Sequence, residues 1–307
     1  MGTNSNTMTN NQKATALALG AVLMWSTVAT AFKIALSGMN YYQLLLIATW
    51  VSTLVLALFL ITKNELVTSF KLSRKQYLLS MLMGALNPFA YYLILLKAYS
   101  LLPAYMAQPL NYTWPVVLVF FSAFFLKQKL TWLSVFALIV SFFGVWLISN
   151  GNDAIETLST FWGVLLATSS SLVWSAYWVL NLKDQRSPTQ KLFVNFLFGS
   201  IYIYLFCLWA GFPAFKFTTS FIAAIYIGIF EMGITFILWM MALQMATRTD
   251  KISIYIFLSP FISLIFITTI LGEKITIYAF LGFIFIALGI LMSKWKEITT
   301  FERGKQR

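Results

Sequence analysis

The chain has 307 residues, of which 60% are hydrophobic and 10% are charged, and its formal net charge is +12. Soluble globular proteins carry about 25% charged residues, so this composition excludes an ordinary soluble domain, a disordered chain and a fibrous protein. It indicates an integral membrane protein. The sequence has no histidine and one cysteine, Cys207, which excludes an intramolecular disulfide and a histidine-based triad. We expect no metal site, no cofactor and no enzymatic activity.

Apolar runs of membrane-spanning length recur along the whole chain. A transmembrane helix needs about 20 mostly apolar residues. The predicted spans, in chain order, are residues 14–36, 41–62, 76–97, 103–125, 131–149, 160–181, 189–209, 218–243, 251–271 and 276–295. The sequence therefore predicts an all-α integral membrane protein with ten transmembrane helices. The remaining segments are an N-tail over 1–13, a linker over 150–159 and a C-tail over 296–307.

The positions of lysine and arginine predict the orientation. If the N-terminus is inside the cell, 17 of these residues lie on inner segments and only Lys33, Lys97, Lys216 and Lys274 lie on the outer half. Such a bias follows the positive-inside rule. We therefore expect both termini in the cytoplasm and the linker over 150–159 outside. The excess charge is explained by topology and anionic lipids rather than by nucleic-acid binding.

Self-comparison reveals an internal repeat. Residues 113–146 align without a gap on 258–291 at an offset of 145, and this alignment pairs Pro115 with Pro260. Upstream, an offset of 144 pairs Asn87 with Glu231. The sequence thus predicts two five-helix halves, 14–149 and 160–295. Because five is odd, the second half starts on the opposite side of the membrane, so the two halves are inverted. Inverted repeats are typical of secondary transporters, whose substrate sites lie near the midplane.

Two segments resemble a known family. The fourth span carries Asn111-Tyr112-Thr113-Trp114-Pro115 and leaves the membrane at Leu126-Lys127-Gln128-Lys129, and the ninth runs from Leu258-Ser259-Pro260 to Leu271-Gly272-Glu273-Lys274. They are similar to the EamA-type members of the drug/metabolite transporter superfamily and, in the fourth span, to its YddG-like aromatic amino acid exporters. The resemblance implies a basket of helices around a central cavity. Two residues depart from the family's pattern, and both leave the substrate open. Gln128 stands where many members have Glu, and the aromatic exporters do not obviously share Glu231.

Glu231 is the acid that the prediction places deepest in the membrane. An ionised side chain there costs several kcal/mol, so the residue is neutral, paired or exposed to a wet cavity. We interpret it as a proton-coupling site or a ligand for a substrate amine; the alternative is a packing role. Its repeat counterpart Asn87 either binds substrate or bonds to a neighbouring helix. Pro88, Pro115 and Pro260 are candidate hinges, or static kinks.

Aromatic side chains can hold a ring or a cation, and most others here face lipid. The predicted cavity residues, besides Asn87 and Glu231, are Trp25, Ser26, Tyr91, Asn111, Tyr112, Trp114, Trp174 and Tyr255. Tyr92 is a further aromatic candidate, and Ser26 has a helix-packing alternative.

We therefore expect an alternating-access transporter, working as a monomer in a bacterial inner membrane among lipids. It moves a small molecule, most simply an amino acid, aromatic ones included, or another amphipathic compound in efflux, with protons as a candidate coupling ion. No phosphate-binding loop points to ATP. Uptake by the same machinery is the alternative. A lipid flippase, an accessory subunit and an intramembrane enzyme are the alternatives of other classes.

Overall fold

A computed structural model describes residues 9–127, 131–150, 158–181, 184–212, 214, 216–247, 252 and 254–293. All regular elements in these ranges are helical, and they form ten spans. These are α1 (Asn10–Leu36), α2 (Tyr41–Thr62), α3 (Arg74–Leu101), α4 (residues 104–126), α5 (Trp132–Asn150), α6 (Leu158–Asn181), α7 (Pro188–Ala210), α8 (Thr219–Met245), α9 (residues 254–270) and α10 (Ile277–Ser293). The predicted ten-helix fold is confirmed. Most of the predicted tails and of the linker lies outside the described residues.

Polar residues fix two of the helix starts. Thr9 and Gln12 form a reciprocal capping box at α1, and Ser73 and Gln76 form another at α3. Such a pair satisfies backbone N–H groups that have no partner within the helix. Because of its cap, α1 begins at Asn10, four residues before the predicted span.

Four helices are irregular at positions that the repeat relates. In α3, Ala85–Ala90 forms a π-helical segment in which Asn87 is extended (φ −144°, ψ 121°), and Ile227–Ile234 in α8 is also π-helical. In α4, a break separates Ala104–Asn111 from Trp114–Leu126, and in α9 a 3-10 turn precedes Ser259–Ile270. Backbone that departs from the α-helix within a membrane occurs where it is buried in protein or lines a cavity.

The three proline positions differ in their surroundings. Pro88 lies inside the π-helical segment of α3. Pro115 and Pro260 lie in the first turn of the helical segments that follow the breaks of α4 and α9. A proline in a first turn removes no helical hydrogen bond. Both residues therefore start a segment beside a break instead of kinking a continuous helix.

Helix packing has approximate two-fold symmetry. Helix α1 packs against α8 and α9, and its repeat counterpart α6 packs against α3 and α4. Helix α2 packs against α7 and α8, whereas α7 packs against α2 and α3. Helices α5 and α10 pack mainly against each other. Exchanging each helix with the one five places later therefore reproduces the same set of neighbours.

Cross-contacts show which helix ends share a face. We call the end where α1 begins the N-terminal face and the other end the distal face. Thr247, after α8, donates to Asn11 at the N-terminal face. Leu102, after α3, accepts from Lys33 at the distal face and contacts Gly163 near the start of α6. Helix α6 thus starts at the face where α1 ends, and the two halves are inverted.

Candidate functional site

A central cavity of about 270 Å³ lies between α1, α3, α4, α6, α8 and α9. Ligand pockets usually measure about 300–1,000 Å³, so this one suits a single small molecule. Aromatic side chains make up most of its wall: Trp25, Phe32, Tyr91, Tyr92, Tyr99, Tyr112, Trp114, Trp174, Trp178, Phe236, Trp239 and Phe257.

The two ends of the cavity differ in accessibility. At the distal end Phe32, Tyr99 and Gln108 are buried. At the end toward the N-terminal face, Leu243 and Ile256 are half-buried. The described lining residues at the distal end are therefore more buried than those toward the N-terminal face.

Glu231 is the acid among the described residues that line the cavity. The π-helical segment of α8 carries it, and its side chain is 9% exposed. Tyr92 of α3 donates its hydroxyl to Oε1 of Glu231 at 2.9 Å, and Oε2 accepts no hydrogen bond from the described residues. A carboxylate with a single donor in an apolar site is poorly stabilised. The free oxygen can accept a proton or a donor on a ligand.

A second polar chain crosses the cavity wall beside the first. Tyr91 donates to Oδ1 of Asn111 at 3.2 Å, and Nδ2 of Asn111 donates to Ser170 at 2.8 Å. These bonds tie α3, α4 and α6 together. They also engage the Tyr91 hydroxyl and one amide hydrogen of Asn111.

Stacked rings build the apolar part of the wall. Tyr91 stacks on Trp174 with 4.4 Å between ring centroids and 28° between ring planes. Trp25 packs against Phe236 at 5.8 Å and against Trp239 at 5.4 Å, and Phe236 in turn contacts Trp174 edge-on at 6.2 Å. Such pairs present flat π faces that can hold a ring or a cation.

Two charged residues close the distal end. Nζ of Lys33 donates to the carbonyls of Tyr99 and Leu102 at 3.1 and 3.0 Å, at the end of α3. The carboxylate of Glu273 accepts from the amides of Ala104 and Tyr105 at 3.0 and 3.1 Å, at the start of α4. Each charge complements the helix end it binds. We call Lys33 and Glu273, with the α3–α4 connection they hold, the distal clasp.

The structure brings most of the predicted site residues together. The predicted residues that line the cavity are Trp25, Tyr91, Asn111, Tyr112, Trp114, Trp174, Glu231 and the hinge candidate Pro115. The candidate Tyr92 lines it too. Pro88 and Pro260 do not, and Pro260 lines a smaller apolar pocket of about 70 Å³ that shares Tyr112 and Phe257 with the cavity.

Three predicted cavity residues lie elsewhere. Ser26 is fully buried and donates to the carbonyl of Val22 in its own helix at 2.7 Å. Asn87 is fully buried beside the Tyr177 hydroxyl, on the side of α3 that meets α6. Tyr255 packs in a separate apolar cluster with Trp239 and residues of α1.

Sequence reasoning missed several wall residues that helical spacing could have found. Phe32 follows Trp25 by seven positions, Tyr99 follows Tyr92 by seven, and Trp178 follows Trp174 by four. Residues at these separations share a helix face. Each lies one or two turns from a residue that was predicted.

Several known proteins are similar to this chain in sequence, and one solved structure is similar to it in fold. The model of the EamA-like transporter family matches residues 12–150 and 161–295. An uncharacterized transporter of Clostridium kluyveri is 26% identical over 56% of this chain and 58% of its own length. The uncharacterized transporter YvbV of Bacillus subtilis is 27% identical, covering 64% of this chain and 65% of its own. The chain thus spans less than two thirds of the length of these two relatives.

A third relative matches over nearly its whole length. The uncharacterized transporter YoaV of Bacillus subtilis is 23% identical over 94% of this chain and 97% of its own. One crystal structure superimposes with a TM-score of 0.67, 20% identity and coverage of 92% of this chain and 96% of that one, which shows a shared fold. Because the family model matches both halves, this multi-pass membrane protein belongs to the EamA-like transporter family.

Proposed function

We propose that the chain is a secondary or facilitative transporter that exports small amphipathic metabolites, amino acids and related amines with an aromatic or apolar body. The observation that carries this proposal is the aromatic cavity that contains the buried carboxyl group of Glu231. An aromatic wall suits the apolar body, and Glu231 suits an amine. The YddG-like motif at Asn111–Pro115 supports the same class of solute.

The charge distribution supports a cytoplasmic position for the N-terminal face. Described lysines and arginines at that face include Lys63, Lys71, Arg74 and Lys75, between α2 and α3. By the positive-inside rule both termini are cytoplasmic, in a bacterial inner membrane. The less buried end of the cavity then faces the cytoplasm, where an exporter loads its substrate.

Alternating access would use the two halves, 14–149 and 160–295, as exchanging units. The breaks in α4 and α9, next to Pro115 and Pro260, and the π-helical segment with Pro88 are the places where such movement would concentrate. One chain supplies both halves and the whole cavity wall, which favours a functional monomer.

Proton coupling at Glu231 is the energy source we propose. A proton and a substrate amine would compete for the free carboxylate oxygen, so that release of one accompanies binding of the other. In proteoliposomes an imposed pH gradient should then accelerate transport by the native chain and leave Glu231→Gln transport unchanged. Equal acceleration of both would contradict coupling at this residue.

Counterflow of radiolabelled amino acids into proteoliposomes tests the proposed function. We expect accumulation above protein-free liposomes for solutes with an aromatic or apolar side chain, and at least about tenfold less for Glu231→Gln. Glu65→Gln is the matched control, because Glu65 lies after α2, outside the cavity.

Other outcomes would favour the alternatives. Movement of labelled phospholipid without any small solute would indicate a lipid flippase. In cells, an exporter should raise resistance to toxic amino acid analogues, whereas an uptake permease should lower it.

A further inference from the structure

We infer that the site prefers organic cations, an aromatic or apolar body with an amine and no free carboxylate, over zwitterionic amino acids. This inference rests on the proposed function and narrows its substrate class. It follows from the signs of the charges around the cavity and from which hydrogen-bond donors in the wall are already engaged.

The charge in the cavity wall has one sign among the described residues, and that sign is negative. Among the described lining residues Glu231 is acidic, and none is Lys or Arg. At the closed end Lys33 is held by two carbonyls of the distal clasp. A substrate ammonium would meet the free Oε2 of Glu231, whereas a substrate carboxylate would meet no free cation and would be repelled.

Several neutral donors at the cavity are already engaged, whereas the buried indole N–H of Trp178 has no partner among the described residues. Tyr92 donates to Glu231, Tyr91 donates to Asn111, and Asn111 donates to Ser170. After the break in α4, the amides of Val116 and Val117 donate to the carbonyl of Thr113 at 3.1 and 3.2 Å. A carboxylate would therefore have to displace existing bonds at each of these positions, and buried unpaired groups are costly.

The aromatic wall complements a cation directly. The rings of Trp25, Phe236, Trp239, Trp174 and Tyr91 form a connected wall that also contains Glu231, with Phe236 in edge contact with Trp174. A desolvated cation over such faces is attracted by the negative charge of the ring face. An anionic group gains nothing from the negative face of a ring.

Three indole compounds of similar size test the inference on the native protein. Tryptamine carries the amine, tryptophan carries the amine and a carboxylate, and indole-3-propionate carries only the carboxylate. Proteoliposome counterflow should be at least about tenfold faster for tryptamine than for tryptophan and absent for indole-3-propionate. Glu231→Gln should remove the preference for tryptamine, and Glu65→Gln should keep it.

Binding is measured separately, as the shift in melting temperature of the purified protein. A shift with tryptamine and none with indole-3-propionate supports the cation site even if no counterflow occurs, and that result would refute the transport proposal alone. Tryptophan equal to or better than tryptamine in both assays would overturn the cation preference and leave transport standing. No shift and no counterflow with tryptamine would overturn the inference. These comparisons use the native chain, so they hold even if Glu231→Gln fails to fold.

Discussion

The neighbouring residues Tyr91 and Tyr92 link helix α3 to both halves of the molecule. Tyr91 donates to Asn111 of α4, and Tyr92 donates to Glu231 of α8. Consecutive residues on a helix point about 100° apart, so one turn of α3 serves two polar contacts. The shape of the cavity and the hydrogen bonding of Glu231 therefore depend on the same turn.

A double-mutant cycle at Tyr91 and Asn111 should show their coupling. Tyr91→Phe and Asn111→Leu each remove one partner, so the double variant should lose less stability than the two single losses together. We expect an interaction of about 0.6–1.7 kcal/mol, the range for hydrogen bonds within membranes. Thermal unfolding in detergent measures it. Strict additivity would contradict the hydrogen bond.

Asp184, in the connection between α6 and α7, should make stability depend on pH. Burial raises the pKa of this carboxyl, but hydrogen bonds from the side chain and backbone of Arg186 outweigh burial and hold the pKa below its ordinary value of 3.8. A lowered folded-state pKa stabilises the protein above 3.8, and this contribution disappears as pH falls through the folded-state pKa.

The matching measurement compares Asp184→Asn with the native chain. The variant should melt at a lower temperature at neutral pH, and the difference should shrink below pH 3.8. Glu65→Gln is the control. In the described part of the chain, the Glu65 carboxylate accepts a long side-chain hydrogen bond of 3.3 Å from Gln190. A difference that stays constant with pH would contradict the role of the Asp184 charge.

Residue types and spacing predicted much of the site but not which way every side chain points. Glu231 and Trp174 stand out as a deep acid and a repeated aromatic. Ser26 bonds within its own helix, which is a common alternative for serine in a membrane helix. Asn87 sits on extended backbone that breaks the helical period, and Tyr255 lies in a 3-10 turn. For these last two, α-helical periodicity gives the wrong face.

At the scale of elements, helices α5 and α10 cross with their backbones in close contact. A Cβ added at Gly144 would lie 2.4 Å from the carbonyl oxygen of Gly282, and one added at Gly282 would lie 2.5 Å from that of Gly144. Small residues let membrane helices approach closely, and packing then supplies the attraction. This pair therefore sets the distance between the last helices of the two halves.

Gly144→Ala should destabilise the protein by about 1–3 kcal/mol, because backbone atoms at the crossing must move. Gly20→Ala is the control: it lies within α1, and nothing is within 4 Å of its added Cβ. Alanine there should stabilise by up to about 1 kcal/mol through helix propensity. Melting temperatures of the two variants test this, and equal shifts would contradict the close crossing.

The distal clasp should control access to the cavity from the distal side. Lys33→Met removes two charge-assisted hydrogen bonds, each worth about 1.5–3 kcal/mol, and frees the end of α3. The thiol of a Gln108→Cys variant, made in a Cys207→Ser background, should then react at least about tenfold faster with an impermeant reagent added distally.

Lys97→Met is the matched control for the clasp. Lys97 also lies near the distal end of α3, but its Nζ sits 5.0 Å from the centre of the Tyr41 ring and bonds no carbonyl in the described structure. Its loss should leave the labelling rate unchanged. Equal acceleration by both substitutions would show that a general loosening of the distal face, rather than the clasp, is responsible.

The positions of the spans followed from hydropathy, but their internal breaks did not. The breaks of α4 and α9 fall next to Pro115 and Pro260, which the sequence marks as special. The π-helical segment of α8 contains no proline and gives no local signal. Only its repeat partner at Pro88 in α3 hints at it, through the offset that pairs Asn87 with Glu231.

At the scale of the whole molecule, an odd number of helices per half determines the architecture. The sequence repeat and the count of five predicted inversion, and the packing confirms it, since α1 with α8 and α9 mirrors α6 with α3 and α4. The cavity lies where these two sets meet. Which end of the cavity is more buried could not be predicted, because a repeat describes both conformations of a symmetric pair equally well.

The distal clasp breaks that symmetry. The repeat offset of 145 pairs Glu273 with Gln128, and the offset of 149 pairs Lys33 with Leu182, so the other half carries no charged counterpart at either position. If the chain works by alternating access, a lock at one end only favours the conformation in which the distal clasp is formed. Such an asymmetry sets which conformation the empty protein favours, and with it the affinities and rates on each side of the membrane, whereas the gradients across the membrane set the direction of net flow.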